Sequence, residues 1–212
     1  MELLEAIRNY AEQPITRQLL LDLLKNYKRP FDKIDELVKQ GILIQLKRGI
    51  YIPGPELKIA GPEPFLLANY LAGPSYVSLD SALSHWGLIP ERVYEISSVT
   101  IGPSKIYKTS VGRFSYTHLR LPYYAFGIKQ VELTKKQAAL IATPEKALCD
   151  KIITTAGLLL RSSKQVIELL IEDLRIEKQA LQHLNTGQIS KWVEEAPKKD
   201  SLNMLVKTLK NL

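Results

Sequence analysis

The stretch KQGILIQLKRGIYIPG, Lys39 to Gly54, decides how the first part of this 212-residue chain is read. After Gly41 the residues of ILIQLK alternate between apolar and polar, and IYIP returns as a partner strand. Gly49 permits the tight turn between them, so the stretch predicts a two-stranded ribbon with Lys47, Arg48 and Gly49 at its tip.

The residues before the ribbon say what carries it. Leu3, Leu4, Ile7, Tyr10 and Ala11 recur at helical spacing and predict a first helix over 2–12. Pro14 interrupts it and Thr16 is a natural N-cap. Leu19, Leu20, Leu23, Leu24 and Tyr27 then give the apolar face of a second helix over 16–26. The turn KRP, Lys28 to Pro30, ends that helix, and Phe31, Ile34, Leu37 and Val38 keep helical spacing up to Gly41, a natural stop. Helix, helix, short turn, helix and ribbon is the order of a winged helix-turn-helix domain. In such a domain the third helix enters the major groove of DNA and the ribbon tip approaches phosphates. The expected DNA contacts are Lys28, Arg29, Lys33, Lys39, Lys47 and Arg48. Against this, the third helix also shows Asp32, Asp35 and Glu36 to solvent. A helix N-terminus stabilises the first two, but Glu36 would meet phosphate repulsion.

A formal charge of +7 agrees with a polyanionic partner, yet the excess is spread along the chain and forms no basic tail. Its local concentration is more informative. No acid occurs between Leu37 and Pro55, the interval that holds the ribbon, and none between Glu95 and Glu132. The second interval holds Lys105, Lys108, Arg113, Arg120 and Lys129 among Tyr107, Phe114, Tyr116, Tyr123, Tyr124 and Phe126. Two readings of it stand side by side. It is a nucleic-acid or partner-protein surface, or it is a sheet whose aromatics are half core and whose basic residues are its wet face.

A lone Cys149 forms no intramolecular disulfide, and three scattered histidines give no zinc-ligand spacing, so neither metal nor cofactor is expected. No apolar run is long enough to span a bilayer, and MELLEAIRNY carries two acids where a secretory signal carries basic charge. A cytoplasmic location with no membrane partner is therefore expected.

The Pro- and Gly-rich IPGPELKIAGPEP predicts a boundary near Lys58 and two domains, 1–58 and 59–212. Beyond it, PFLLANYLA reads as a helix, and SYVSLDSALSHWGLIPE as a short strand feeding a helix from Ser78 to Gly87. YEISSVTI, KIYKTS and RFSYTHLR read as strands of a small antiparallel sheet, and GIKQVEL as a further strand after it. In TPEKALCDKIIT, Thr143 caps a helix with Pro144 at its first position. The chain is helical from about 162, with Asp200 expected to cap a last helix striped by Leu202, Leu205, Val206, Leu209 and Leu212. The fold class is α+β.

Glu145, Lys146, Asp150 and Lys151 contain the residue types of a nuclease, but their helix explains them as capping and solvent-facing charges. Neither GPS tripeptide, at Gly73 or Gly102, is followed by the paired aspartates of a nucleotidyltransferase. An enzyme is not expected.

YVSLDSALSHWGLIPE at Tyr76 to Glu91, VTIGP at Val99 to Pro103, FGIKQV at Phe126 to Val131 and IATPEKALCDKI at Ile141 to Ile152, behind LVKQGILIQLKRGIYIP, resemble the AbiE-type antitoxins of bacterial type IV toxin-antitoxin systems. The likeness covers roughly residues 1 to 155. It implies a transcriptional autorepressor whose N-terminal domain binds repeats in its own promoter, and whose C-terminal region neutralises a nucleotidyltransferase-like toxin without requiring a stable complex with it. The alternative is a winged-helix RNA- or protein-binding module with no toxin partner.

Overall fold

The computed structural model describes residues 2–91 and 93–212. The chain opens with α1 (Glu2–Asn9), β1 (Ile15–Thr16), α2 (Arg17–Leu23), α3 (Pro30–Lys39), β2 (Leu43–Lys47) and β3 (Ile50–Pro53). Thr16 caps α2 as its sequence position suggests, its hydroxyl accepting from the Leu19 amide at 3.2 Å. Pro30 begins α3 instead of standing outside it, because a first-turn residue needs no amide hydrogen. Strand β1 is too short for periodicity to reveal. It pairs antiparallel with β3 through Ile15–Tyr51 and Thr16–Ile50, giving a three-stranded sheet of order β1-β3-β2.

The remaining elements are α4 (Pro64–Leu71), β4 (Ser75–Val77), α5 (Leu79–His85), β5 (Glu95–Thr100), β6 (Lys105–Thr109), β7 (Gly112–His118), β8 (Ile128–Thr134), β9 (Gln137–Ala142), α6 (Pro144–Thr154), α7 (Ser163–Ile167), α8 (Lys178–Gln182), α9 (Thr186–Trp192) and α10 (Lys199–Leu209). A π-helical stretch, Glu168–Asp173, continues α7. The expected small antiparallel sheet is corrected here. The second sheet has six strands in the order β6-β7-β5-β4-β9-β8 and is mixed, parallel at β4–β9 and at β5–β7. Strand β9, QAALIA, gives no strand signal in sequence because alanine carries little strand preference. Its register against β8, from Ile128–Ala142 to Thr134–Gln137, is fixed by what packs on either side.

Helix α4 is tied to this sheet by polar contacts. The Tyr116 hydroxyl donates to the Ala68 carbonyl at 2.6 Å, and the Asn69 amide oxygen accepts from the Leu140 backbone at 2.7 Å. At the other end of the chain Asp200 lies in the first turn of α10 and does not cap it. The residue before the helix is Lys198, whose ammonium donates to the carbonyls of Ile152, Thr155 and Leu158 at 2.9, 2.7 and 2.9 Å and so closes the end of α6. The apolar stripe of α10 is covered within the chain: Leu202, Leu205, Val206 and Leu209 are buried, and only Leu212 reaches solvent.

Two hydrophobic clusters result. Ile7, Ile15, Leu20, Leu24, Ile34 and Leu37 belong to the first, and the second fills the space around the six-stranded sheet. The β2–β3 hairpin stands between them. Leu43 and Tyr51 face the first cluster, while Leu46 and Ile52, with the half-buried Ile44 and Ile50, belong to the second. A β-hairpin with both faces occupied is a shared wall, not a free ribbon. Among the described residues no helix is long and apolar enough to cross a membrane.

Candidate nucleic-acid interface

The hairpin tip is built by a bulge. Ile44 opposes Ile52 and Gln45 opposes Tyr51, but the register then shifts, so that Lys47 opposes Ile50. One extra residue turns Lys47 to the side of Ile50 and Leu46, toward the second cluster. Its ammonium donates to the carbonyl of Leu71, the last residue of α4, at 2.7 Å, and lies 6.0 Å from the centre of the Tyr107 ring. A lysine on a helix-terminal carbonyl satisfies an orphan acceptor and complements the helix dipole. Arg48 is left exposed at the tip, beside Gly49, whose φ of +85° favours glycine. The Arg17 amide donates to the Gly49 carbonyl at 2.9 Å, which brings a further arginine beside the tip. Sequence reasoning overlooks Arg17 because only the β1–β3 pairing brings it there.

On α3 two of the three acids, Asp32 and Glu36, are compensated from within the helix and the turn before it. Lys33 donates to Glu36 at 2.8 Å and Gln40 donates to the same carboxylate at 2.9 Å; the Lys33 bond is the main cause of its lowered pKa. Arg29 pairs with Asp32 at 3.6 Å in the open. Arg29 and Lys33 are therefore each engaged with an acid of α3. Lys28 and Lys39 are exposed and, among the described residues, make no salt bridge. Tyr27 and Phe31 expose their rings on either side of the turn that carries Lys28 and Arg29.

The second basic set is not one patch. Lys105 and Lys108 lie on β6 and Arg113 on the adjoining β7, where Arg113 is ion-paired with Glu95. Arg120 is exposed beyond β7, and Lys129 sits on β8, at the opposite edge of the sheet from β6. The aromatics interleaved with them turn inward. Phe114, Tyr116, Tyr123 and Tyr124 are buried and Tyr107 and Phe126 are half-buried, so this interval presents no row of open rings. Lys105 and Lys47 share one ring, that of Tyr107, with the Lys105 ammonium 4.8 Å from its centre.

The expectation of solvent-facing charges on α6 is corrected. Lys146 and Asp150 are fully buried and paired at 3.0 Å, and Glu145 is buried and accepts from the Asn185 amide at 2.9 Å. Asp150 also accepts from the hydroxyls of Tyr76 at 2.9 Å and Ser78 at 2.7 Å. Lys146 donates to the Tyr123 carbonyl at 3.0 Å and lies 3.3 Å from the centre of that ring. Burial drives the Lys146 pKa down and those of Tyr76, Tyr123 and Cys149 up. Of the four only Lys151 is half-exposed, paired with Asp80 at 2.7 Å. Helical spacing alone does not reveal this, because α6 is enclosed by the sheet on one side and by α9 and α10 on another. Among the described residues no group of three or more His, Cys, Asp or Glu converges as a metal site would.

No protein-family model matches this chain. No curated protein matches it either.

Proposed function

We propose that residues 1–58 form a winged helix-turn-helix domain that binds duplex DNA, and that the chain is an antitoxin-type transcriptional regulator of its own promoter. One observation carries the reading. The elements follow the order α1-β1-α2-α3-β2-β3, and the returning strand β3 is the middle one of its sheet, flanked by β1 and β2. That arrangement sets three helices against a small sheet with a short basic loop at one end, the layout in which a helix and a wing reach DNA together.

The charge distribution supports the same reading. With Glu36 held by Lys33 and Gln40, α3 approaches phosphates with its central acid already compensated. Arg17, Lys28, Lys39 and Arg48 remain to neutralise phosphate. Residues 59–212, by resemblance to AbiE-type antitoxins, carry the neutralisation of a nucleotidyltransferase-like toxin. The deciding experiment titrates the full chain against a labelled duplex from its own upstream region, with random competitor, at two salt concentrations. Affinity about 10³-fold above that for random DNA is expected; equal loss to competitor would remove the operator.

One observation favours a protein-contact use of the same domain. On the α3 face Arg29, Lys33 and Lys39 are matched by Asp32, Asp35 and Glu36, so the helix itself brings no net attraction to a phosphate-lined groove. Absence of any duplex preference in the titration would select that reading.

A further inference from the structure

The six-stranded sheet ends in β6 on one side and β8 on the other, and among the described residues β6 is the edge that carries two lysines outside any salt bridge. Among the described residues it pairs with β7 alone, and Lys105, Ile106 and Lys108 are exposed along it. An open edge offers a row of unpaired backbone donors and acceptors, which another extended chain can complete. We propose that β6 receives a seventh strand from an acidic, extended segment of a partner protein.

The side chains state the chemistry of that segment. The register against β7 places Ile106 opposite Ser115 and Lys108 opposite Arg113 on one face, and Lys105 opposite Tyr116 on the other. Both faces of the edge are therefore positively charged. Among the described residues neither Lys105 nor Lys108 makes a salt bridge, and Arg113, next to Lys108, has Glu95 as its counter-ion. Like charges directly opposite, Lys108 and Arg113, are unfavourable in a sheet and are relieved by a carboxylate brought alongside. Ile106 is 51% exposed and stands between the two lysines, so the docking strand covers an apolar side chain there. Read antiparallel to β6, the partner carries an acid opposite Lys108, an apolar residue opposite Ile106 and an acid opposite Lys105. In sequence that is acid, any residue, apolar, acid.

The same residues disfavour the other occupants. A second copy of this chain would bring two sets of lysines together along one seam, the arrangement by which natural edges resist self-pairing. Single-stranded nucleic acid binds by stacking on open rings, and the rings of this interval are turned into the core or half-covered. A peptide uses both features that are present, backbone groups and a lysine on each face.

The test uses the full chain and a short fluorescein-labelled peptide with Glu-Thr-Val-Glu at its centre. Its partner probe has the same sequence and charge but is N-methylated at alternate residues, so that it cannot complete a strand. Saturable anisotropy is expected with the first probe, and binding about tenfold weaker or less with the second. The doubly substituted Lys105→Glu/Lys108→Glu chain should lose the acidic probe and bind a Lys-Thr-Val-Lys peptide instead. Equal binding of the methylated probe would reduce the site to a charged surface and overturn the proposal. So would failure of the substituted chain, folded by circular dichroism, to switch preference. Displacement of the probe by poly(U) at lower concentration than by unlabelled peptide would assign the edge to nucleic acid and overturn it likewise. The outcome is separable from DNA binding, which rests on residues 1–58.

Discussion

Lys47 donates to the carbonyl of Leu71 at 2.7 Å, a bond that joins the hairpin shared by the two clusters to the end of α4 in the second. It assigns the two basic residues of the tip different tasks. Lys47 fastens the hairpin in place, and Arg48 faces solvent.

Substitution separates those tasks. Lys47→Ala is expected to lower stability by about 1 kcal/mol, the typical net worth of such a bond, and to leave the salt dependence of DNA binding unchanged. Arg48→Ala is expected to leave stability within about 0.5 kcal/mol and to lower the salt slope by about 1. Urea denaturation and titrations at several salt concentrations measure both. Equal slope changes in the two variants would place Lys47 in the proposed DNA contact.

The buried pair Lys146–Asp150 gives a second prediction. Asp150→Ala strands an ammonium with no exposure and two buried hydroxyls, so a loss of about 3–5 kcal/mol is expected. Replacing both partners, Lys146→Met with Asp150→Leu, should recover part of it, the remainder belonging to Tyr76 and Ser78. The comparison is read from urea midpoints at constant m-value. A double variant no better than Asp150→Ala would show that the charge pairing is not the source of the loss.

Alkaline pH should unfold the chain. Burial raises the pKa values of Tyr76, Tyr116, Tyr123 and Tyr124, and also that of Cys149. A group whose folded pKa is raised contributes stability that is complete below its unfolded pKa and is lost as pH rises beyond it. The decline should thus begin in the ordinary thiol range, about 8.5, and steepen above about 10 as unfolded tyrosines ionise. Lys146, whose pKa is lowered, acts in the opposite sense below the ordinary lysine value, but one lysine is set against four tyrosines and a thiol. Melting temperatures across this range, with tyrosinate absorbance as the monitor, check it. Tyrosinate appearing for all tyrosines before unfolding would contradict the burial argument.

Gly127 is the fourth test. Its φ is +61°, and a Cβ there would lie 2.7 Å from Lys146 Cβ and 2.8 Å from Trp192 Cη2. Gly127→Ala is expected to destabilise by more than about 1 kcal/mol through both backbone and contact. A thermal melt within error of the parent chain would mean that α6 and α9 shift apart at little cost.

The sequence by itself determined the local elements wherever a pattern repeats within a few residues. The faces of α2 and α3, the Thr16 and Thr143 caps, the Gly49 turn and the alternation of β5 to β8 are of this kind, since side-chain direction follows the backbone period. It also showed which segments are rich in basic residues. Tertiary structure alone decided where those charges go. A one-residue bulge turned Lys47 inward, strand pairing set Arg17 against Gly49 at the tip, and enclosure of α6 made Lys146 and Asp150 a buried pair instead of surface charges. The parallel pairings of β4 with β9 and β5 with β7 were likewise invisible, because they join segments far apart in the chain. The physical reason is common to all of these. A residue's periodicity fixes the side of its own element on which it stands, whereas burial and charge compensation depend on what the rest of the chain lays against that side.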